Sequence, residues 1–304
     1  MTTKRDFLQL ADLTRAELDQ LFVRAAVLKA DRRARKTHQT LAGRTLAVLL
    51  EKNSTRTRLS FEAAIHQLGG HAITLVPGES QIVRGEPIDD TARVIARYAD
   101  AIVFRTFGDD RLLKLAGASS VPVINGLSAG GHPVQLLADL LTVIERHGSL
   151  EGRKVAWVGD GASNMAFSWI EAARIFGFEL RIGAPKEYVP PASFLATVGA
   201  GARVHVVNDP REAVQGADVV TTDVWTSMGQ EAESAERLRV LGSYQLDAAL
   251  LAKALPSAIV LHCLPAHRGE EITGEVIESP QSAIFDEAEN RLHTSKALLE
   301  LLIA

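Results

Sequence analysis

The chain lacks most of the features that mark secreted or membrane proteins. Cys263 is its only cysteine, so no disulfide can form within the chain and nothing points to an oxidising compartment. No apolar run approaches the ~18 residues of a membrane span, and the residues after Met1 contain no apolar signal core. These absences predict a soluble cytoplasmic protein with no membrane partner.

The chain also has no excess of basic residues, since its net charge is −4. Proteins that bind nucleic-acid backbones usually carry a marked basic excess, so we expect no nucleic-acid partner. An anionic substrate would have to be held by a few local arginines. With 304 residues, 46% of them hydrophobic, the chain is long enough for two domains that each have a core.

Short apolar segments alternate with amphipathic segments along the chain. A capping box at Thr14 and Glu17 predicts the start of the first helix. Strands are predicted at 45–50, 72–76, 101–104, 122–124, 154–158, 179–182, 204–207, 219–222 and 258–261. The alternation of these strands with helices predicts an α/β fold of doubly wound parallel sheets. Two sheets of four or five strands fit two domains better than one large sheet.

A long helix from Pro133 to about His147 separates the two series of strands. It divides the chain into a first domain, 1–132, and a second domain, 133–287, which helices join. A last helix at 288–304 is predicted to pack back on the first domain. Ligands are expected in the cleft between the domains, because they bind at the carboxyl ends of parallel strands.

The most informative segment is 51–58, Glu-Lys-Asn-Ser-Thr-Arg-Thr-Arg, which follows a strand and opens a helix that runs to Gly69 and Gly70. Backbone N–H groups, hydroxyls and a guanidinium converge there, and these are the groups that hold a phosphate. An ordinary helix cap is the alternative, but basic residues oppose the helix dipole at that end. We therefore predict an anion site in this segment.

Two further candidates lie in the first half of the chain. Arg105 follows a predicted strand, and His132 and Gln135 lie at the start of the long helix, where Pro133 suits the first helical position. Each of these positions is also explained by a solvated loop or a helix cap.

In the second half, Asp223 follows the strand that ends at Thr222 and can bind an amine, while the Ser-Met-Gly segment 227–229 can fold over a ligand. An Asx turn with a core methionine explains the same residues. A zinc site of His262, Cys263 and His267 is a weak alternative, because no fourth ligand completes it. We expect no metal.

The segment 158–161, Val-Gly-Asp-Gly, is similar to the start of a dinucleotide-binding turn. Asn164 stands where that motif has its third glycine, and no ribose-binding acid follows the next strand, so a dehydrogenase is excluded. No Walker loop is present, so ATP is not implied. We expect no organic cofactor.

Together these segments resemble the ornithine carbamoyltransferase family over essentially the whole chain. Residues 54–57, Arg105 and the segment 132–135 match the positions that bind carbamoyl phosphate throughout the carbamoyltransferases. Asp223, the segment 227–229 and the His-Cys-Leu-Pro segment 262–265 resemble the ornithine signature. Relatives that use aspartate lack the Ser-Met-Gly segment and have a different residue in place of Cys263.

The resemblance implies transfer of a carbamoyl group from carbamoyl phosphate to the δ-amine of L-ornithine, without metal or cofactor. The implied carbamoyl-phosphate ligands are Ser54, Thr55, Arg56, Thr57, Gln81, Arg105, His132, Gln135, Leu264 and Arg291. The implied ornithine ligands are Asn164, Asp223, Ser227, Met228 and Cys263. The implied catalytic groups are Arg56, Thr57, Arg105, His132, Asp223 and Cys263. Gln81 is offered by a neighbouring subunit, so a homotrimer with shared sites is expected.

Two alternatives remain within the resemblance. The acceptor can be a related amine, such as putrescine or an N-acylated ornithine, or the chain can be a catalytically silent regulatory relative. Putrescine lacks the α-carboxylate, so the residues that would bind the α-groups of ornithine, Asn164 and Asp223, argue against it. The chain departs from the family in having Thr106 where glycine is common, and 129–131, Ala-Gly-Gly, where an acidic residue often precedes the His-Pro pair.

Overall fold

The computed structural model describes residues 4–226 and 231–304. These residues form two compact units, each built on one parallel β-sheet. The first unit comprises Met1–Ala138 and Glu289–Ala304, and the second comprises Asp139–Ala288. Among the described residues, no helix is both long and apolar enough to cross a membrane.

The first unit contains a four-stranded sheet with the strand order β2-β1-β3-β4 and parallel pairing throughout. Its strands are β1 (Thr45–Leu50), β2 (His71–Leu75), β3 (Ala101–Arg105) and β4 (Val123–Leu127). Its helices are α1 (Arg15–Arg33), α2 (Thr55–Gln67), α3 (Ile88–Ile95), α4 (Asp109–Ala118) and the start of α5 (Pro133–His147). Part of the core lies where Leu49, Ile102 and Phe104 meet Leu112 and Leu115 of α4.

The second unit contains a five-stranded parallel sheet with the strand order β7-β6-β5-β8-β9. Its strands are β5 (Lys154–Val158), β6 (Glu179–Gly183), β7 (Arg203–Val207), β8 (Val219–Thr222) and β9 (Ile259–His262). Its helices are α6 (Asn164–Phe176), α7 (Ala192–Thr197), α8 (Pro210–Val214), α9 (Ser234–Leu241), α10 (Ala248–Leu251) and α11 (Gly274–Ile277). The last helix, α12 (Ile284–Ile303), begins in the second unit and ends in the first.

The predicted fold class is confirmed, because both sheets are parallel and helices alternate with their strands. Several element ends were wrong. Arg105 is the last residue of β3, where it pairs with Leu50, and does not follow the strand. The last helix begins at Ile284 and not at Ala288. Its first turn contains Asp286 and Glu287, and acidic residues stabilise a helix start.

Candidate functional site

The first group of predicted site residues lies where β1 leads into α2. Ser54 is the N-cap of α2, and its hydroxyl accepts a hydrogen bond from the Thr57 amide at 3.3 Å. Arg56 lies in the first helical turn. Helix-start N–H groups carry positive partial charge and attract anions, and a guanidinium beside them strengthens that attraction. The predicted anion segment therefore has the local structure that a phosphate requires.

Arg291, on α12, contacts two of the other predicted phosphate ligands. Its guanidinium donates to the Thr57 hydroxyl at 3.3 Å and to the side-chain oxygen of Gln135. All three side chains are buried. The structure thus brings together residues of α2, α5 and α12 that are far apart in the sequence.

His132 is buried next to α5 and faces positive charge. Burial holds the pKa of its imidazole well below the ordinary value, and the charges of Arg291, Arg105 and Arg56 lower that pKa further. The imidazole is therefore neutral near pH 7. A neutral imidazole can donate one N–H to a carbonyl oxygen without adding a fourth cation to the cluster.

Lys52 is a member of this basic region that the sequence analysis did not select. Its ammonium lies 4.4 Å from the centroid of the Phe107 ring, and burial followed by the charge of Arg105 lowers its pKa. In the sequence, the one sign that Lys52 belongs to the site is its position two residues before Ser54. Lys52 adds to the positive potential that an anion meets at the start of α2.

In the second unit, Asp223 and Cys263 directly follow the neighbouring strands β8 and β9. The Cys263 thiol donates to Oδ1 of Asp223 at 3.1 Å, and the Val224 amide donates to the same oxygen at 2.8 Å. Burial raises the pKa of the thiol well above its ordinary value, and Asp223 raises it further. Cys263 is therefore a protonated donor near pH 7 and not a thiolate nucleophile.

Asp223 is a buried carboxyl group whose pKa is raised by that burial. The nearby His262 and the hydrogen bond from Cys263 act in the opposite direction. A positively charged ligand beside Asp223 would favour its carboxylate form. The Asp223–Cys263 pair therefore suits an amine ligand.

A buried pair, His262 and Glu271, supports the segment that contains Cys263. Nε2 of His262 lies 3.0 Å from Oε1 of Glu271, and its Nδ1 accepts a hydrogen bond from the Leu264 amide at 2.9 Å. Leu264 has a positive φ of 57°, so this bond helps to hold a backbone conformation that leucine rarely adopts. Sequence reasoning missed Glu271, since no motif connects it to His262.

The same contacts bear on the zinc alternative. Ligand atoms of Asp223, His262 and Cys263 lie within 4.8 Å of one another, whereas His267 groups with Glu270 and Glu271. Both ring nitrogens of His262 already have hydrogen-bond partners. This group therefore does not fit a zinc ion, which requires an available ring nitrogen from a histidine ligand.

Family models match both halves of the chain. The carbamoyl-phosphate-binding domain of the aspartate/ornithine carbamoyltransferases matches residues 5–145, and their aspartate/ornithine-binding domain matches residues 151–302. The chain belongs to this family. The resemblance found in the sequence is therefore confirmed.

Individual relatives cover nearly the whole chain. The ornithine carbamoyltransferase of Syntrophotalea carbinolica is 52% identical over 99% of this chain and 100% of its own length. That of Halorhodospira halophila is 53% identical over 98% of this chain and 99% of its own length. The solved ornithine carbamoyltransferase from Pyrococcus furiosus is 44% identical, has a TM-score of 0.94, and is matched over 99% of this chain and 97% of that one.

The two departures from the family pattern have local explanations. The Thr106 hydroxyl donates to Glu51, which also accepts from Nε of Arg111 at 3.0 Å, so Thr106 contributes to a polar contact. The Gly130 amide donates to Asp109 at 2.9 Å. A Cβ at Gly130 would lie 2.6 Å from the Asp109 carboxylate, so a larger residue there would displace this exposed side chain.

The remaining predicted ligands lie in separate places. Asn164 is the first residue of α6, directly after the N-cap Ser163. Gln81 is exposed at the start of a 3₁₀ turn, Gln81–Arg84, and its side-chain oxygen accepts from Arg84 at 3.4 Å. Ser227 and Met228 lie outside the described residues.

Proposed function

We propose that this carbamoyltransferase family member transfers the carbamoyl group of carbamoyl phosphate to the δ-amine of L-ornithine, forming L-citrulline and phosphate. The observation that carries the proposal is the placement of Arg56, Arg105 and Arg291 around a buried, neutral His132. Three guanidinium groups suit a phosphate dianion, and a neutral imidazole suits the carbonyl oxygen beside it. The names of the relatives support ornithine as the acceptor.

The donor is bound by the α2 start and its neighbours. Ser54, Thr55 and Arg56 bind the phosphate, with Arg105 and Arg291. Thr57, Arg105 and His132 bind the carbonyl oxygen, which gains negative charge as the reaction proceeds. Gln135 and the Leu264 backbone complete the donor set. Catalysis by such groups is positioning plus stabilisation of developing oxyanion charge.

The acceptor is bound by Asn164, Asp223, Ser227, Met228 and Cys263. The Asp223 carboxylate takes the α-ammonium, and the Cys263 thiol, held by Asp223 at 3.1 Å, orients the δ-amine. A buried carboxylate at this place favours an amino-acid acceptor with an ammonium group. Putrescine keeps an ammonium group that Asp223 could bind, but it has no α-carboxylate for Asn164 and is therefore disfavoured.

The reaction proceeds without a covalent enzyme intermediate. The neutral δ-amine forms a C–N bond with the carbamoyl carbon, and the carbonyl oxygen becomes an oxyanion in a tetrahedral intermediate. The C–O bond to phosphate then breaks, and the phosphate accepts the proton that the nitrogen loses. Neither a metal nor an organic cofactor is required for these steps.

We further propose how the chain is organised for this reaction. Residues 1–132 with residues 288–304 form the carbamoyl-phosphate domain, and residues 133–287 form the ornithine domain. The active unit is a homotrimer in which Gln81 reaches the carbamoyl phosphate of a neighbouring subunit. The enzyme serves arginine biosynthesis in the cytoplasm.

The deciding experiment compares acceptors for the purified full-length chain with carbamoyl phosphate. We expect carbamoyl transfer to be fastest with L-ornithine, and far slower with putrescine, aspartate or N-acetylornithine. Mass spectrometry identifies the product, and phosphate release measures the rate. A faster reaction with another amine, or the absence of transfer to any of them, would contradict the proposal.

A further inference from the structure

A basic cavity lies in the first unit, and none of the residues assigned to carbamoyl phosphate line it. It has a volume of about 600 Å³, within the range of small-molecule sites. Residues of α1, of the segment that follows α1, of α2 and of α12 line it. The basic side chains in that lining are Arg32, Arg35, Lys36, His38, His66 and Lys296.

The buried member of this lining is Lys296, which is 2% exposed. Its Nζ donates to the Leu28 carbonyl and to Oε1 of Gln67, both at 3.3 Å. Both partners are neutral, and in the parts of the chain that the structure describes no carboxylate lies within 4 Å of Nζ. Burial, followed by the charge of Arg32, lowers the pKa of Lys296 to about 8. A buried ammonium without a counter-ion is unfavourable, so an anion in the cavity would stabilise it.

The nearest acidic side chains already have other partners. Asp31 pairs with Lys36 at 2.8 Å and with His38 at 3.3 Å, and Glu300 pairs with Arg24 at 2.6 Å. Arg32 and Arg35 have no ion pair within residues 4–226 and 231–304. The cavity therefore keeps an excess of positive charge.

An ordinary explanation covers part of this arrangement. The C-terminal end of a helix carries negative partial charge, which favours basic residues such as Arg32 in the last turn of α1. That explanation also covers His66, which lies in the last turn of α2, but it does not cover Lys296, which lies inside α12. The cavity therefore combines the arginines at the end of α1 with a buried ammonium from α12.

We propose that this cavity binds a small anion that carries several phosphate charges. The guanidinium groups of Arg32 and Arg35 can each donate two hydrogen bonds to phosphate oxygens, and Lys296 supplies a point charge within the cavity. The site is separate from the carbamoyl-phosphate ligands Arg56 and Arg291. Its ligand class is that of pyrophosphate or of a phosphorylated metabolite.

The test titrates inorganic pyrophosphate into the full-length Arg56→Ala variant by isothermal calorimetry, so that binding at the carbamoyl-phosphate site is weakened. We expect one pyrophosphate per chain. The double change Arg32→Ala with Arg35→Ala, added to Arg56→Ala, should weaken this binding by at least about tenfold, since each charge-assisted contact is lost. Arg33→Ala is the matched control, because Arg33 lies in the same helical turn and pairs with Glu289 outside the cavity. It should leave the affinity unchanged.

Melting temperatures provide a second test. In the Arg56→Ala background, pyrophosphate should raise the melting temperature more than sodium chloride at equal ionic strength, and adding Lys296→Met should abolish that difference. Equal effects of Arg33→Ala and of the Arg32 and Arg35 changes would mean general charge attraction and overturn the proposal. If the double change dissociates the oligomer and pyrophosphate never binds, the cavity is a contact between copies, and the proposal is equally wrong. If Lys296→Met does not fold, the calorimetric titrations of the arginine variants alone test the proposal.

Discussion

His132 owes its low pKa to burial and to the three guanidinium groups that face it. In the unfolded chain a histidine titrates near 6.5. Above that pH both states are neutral, and His132 contributes nothing to the pH dependence of stability. As the pH falls below about 6.5 the unfolded chain takes up a proton and the folded chain does not. Stability is then lost by up to about 1.4 kcal/mol per pH unit until the folded pKa is reached.

This argument predicts the behaviour of a His132→Asn variant. Between pH 6.5 and 5 it should lose less stability than the wild-type chain, because asparagine does not titrate. Urea unfolding midpoints at several pH values measure the difference. Parallel curves for the two proteins would mean that His132 takes up its proton over the same pH range in the folded chain as in the unfolded chain.

Asp223 makes a different prediction at the residue scale. Asp223→Asn keeps the size of the side chain but removes the charge that would bind the α-ammonium of ornithine. The KM for ornithine should rise by roughly tenfold or more, as for loss of a charged hydrogen bond, while the KM for carbamoyl phosphate changes little. Steady-state kinetics with each substrate varied in turn measure the two KM values. Similar increases in both constants would give Asp223 a structural role.

At the scale of elements, the start of α2 combines helix-start amides with Arg56. Arg56→Ala should lose about 2–4 kcal/mol of transition-state stabilisation, as other preorganised oxyanion donors do. Arg56→Lys should also be impaired, because an ammonium cannot reproduce the guanidinium fork. Arg58 is the matched control on the same helix, where it is exposed and pairs with Glu62 at 2.9 Å. The kcat/KM values of these variants measure the loss in each of them. Equal effects of Arg56→Ala and Arg58→Ala would assign the loss to the helix and not to phosphate binding.

The elements themselves were largely predictable from the sequence. Strands that are buried on both faces appear as short continuous apolar runs, as β1 and β3 do, and helices cover them. Element ends were less accurate. β4 was predicted to end at Ile124 and continues to Leu127, through Asn125 and Gly126, because residues with low strand propensity pair where the neighbouring strand requires it.

The candidate site was only partly predictable, and the difference has a physical cause. The α2 start could be recognised, since its cap and its arginines are local in sequence. The contacts of Arg291 with Thr57 and Gln135 join residues 234 and 156 positions apart, and no local pattern specifies such pairs. The family resemblance implied that all three residues bind carbamoyl phosphate, but it did not specify these contacts. The His262–Glu271 contact was missed because no local pattern connects Glu271 to His262.

At the scale of the whole molecule, the remaining question is where Gln81 acts. Its side chain is exposed on a 3₁₀ turn, and Arg84 in the same turn is its hydrogen-bond partner at 3.4 Å. An exposed amide can serve a neighbouring subunit at little desolvation cost. A head-to-tail interface that closes into a threefold ring would give three equivalent sites, each with Gln81 from one chain and Arg105 from the next.

Mixing two inactive variants tests this arrangement. Gln81→Ala and Arg105→Ala should each be severely impaired alone. After subunit exchange in equal amounts, about a quarter of the shared sites should carry neither change, so about a quarter of the wild-type activity should return. Native mass spectrometry verifies the exchange, and mixing two batches of the same variant is the control. If exchange is complete and no activity returns, Gln81 serves its own chain, and the sites are not shared between subunits.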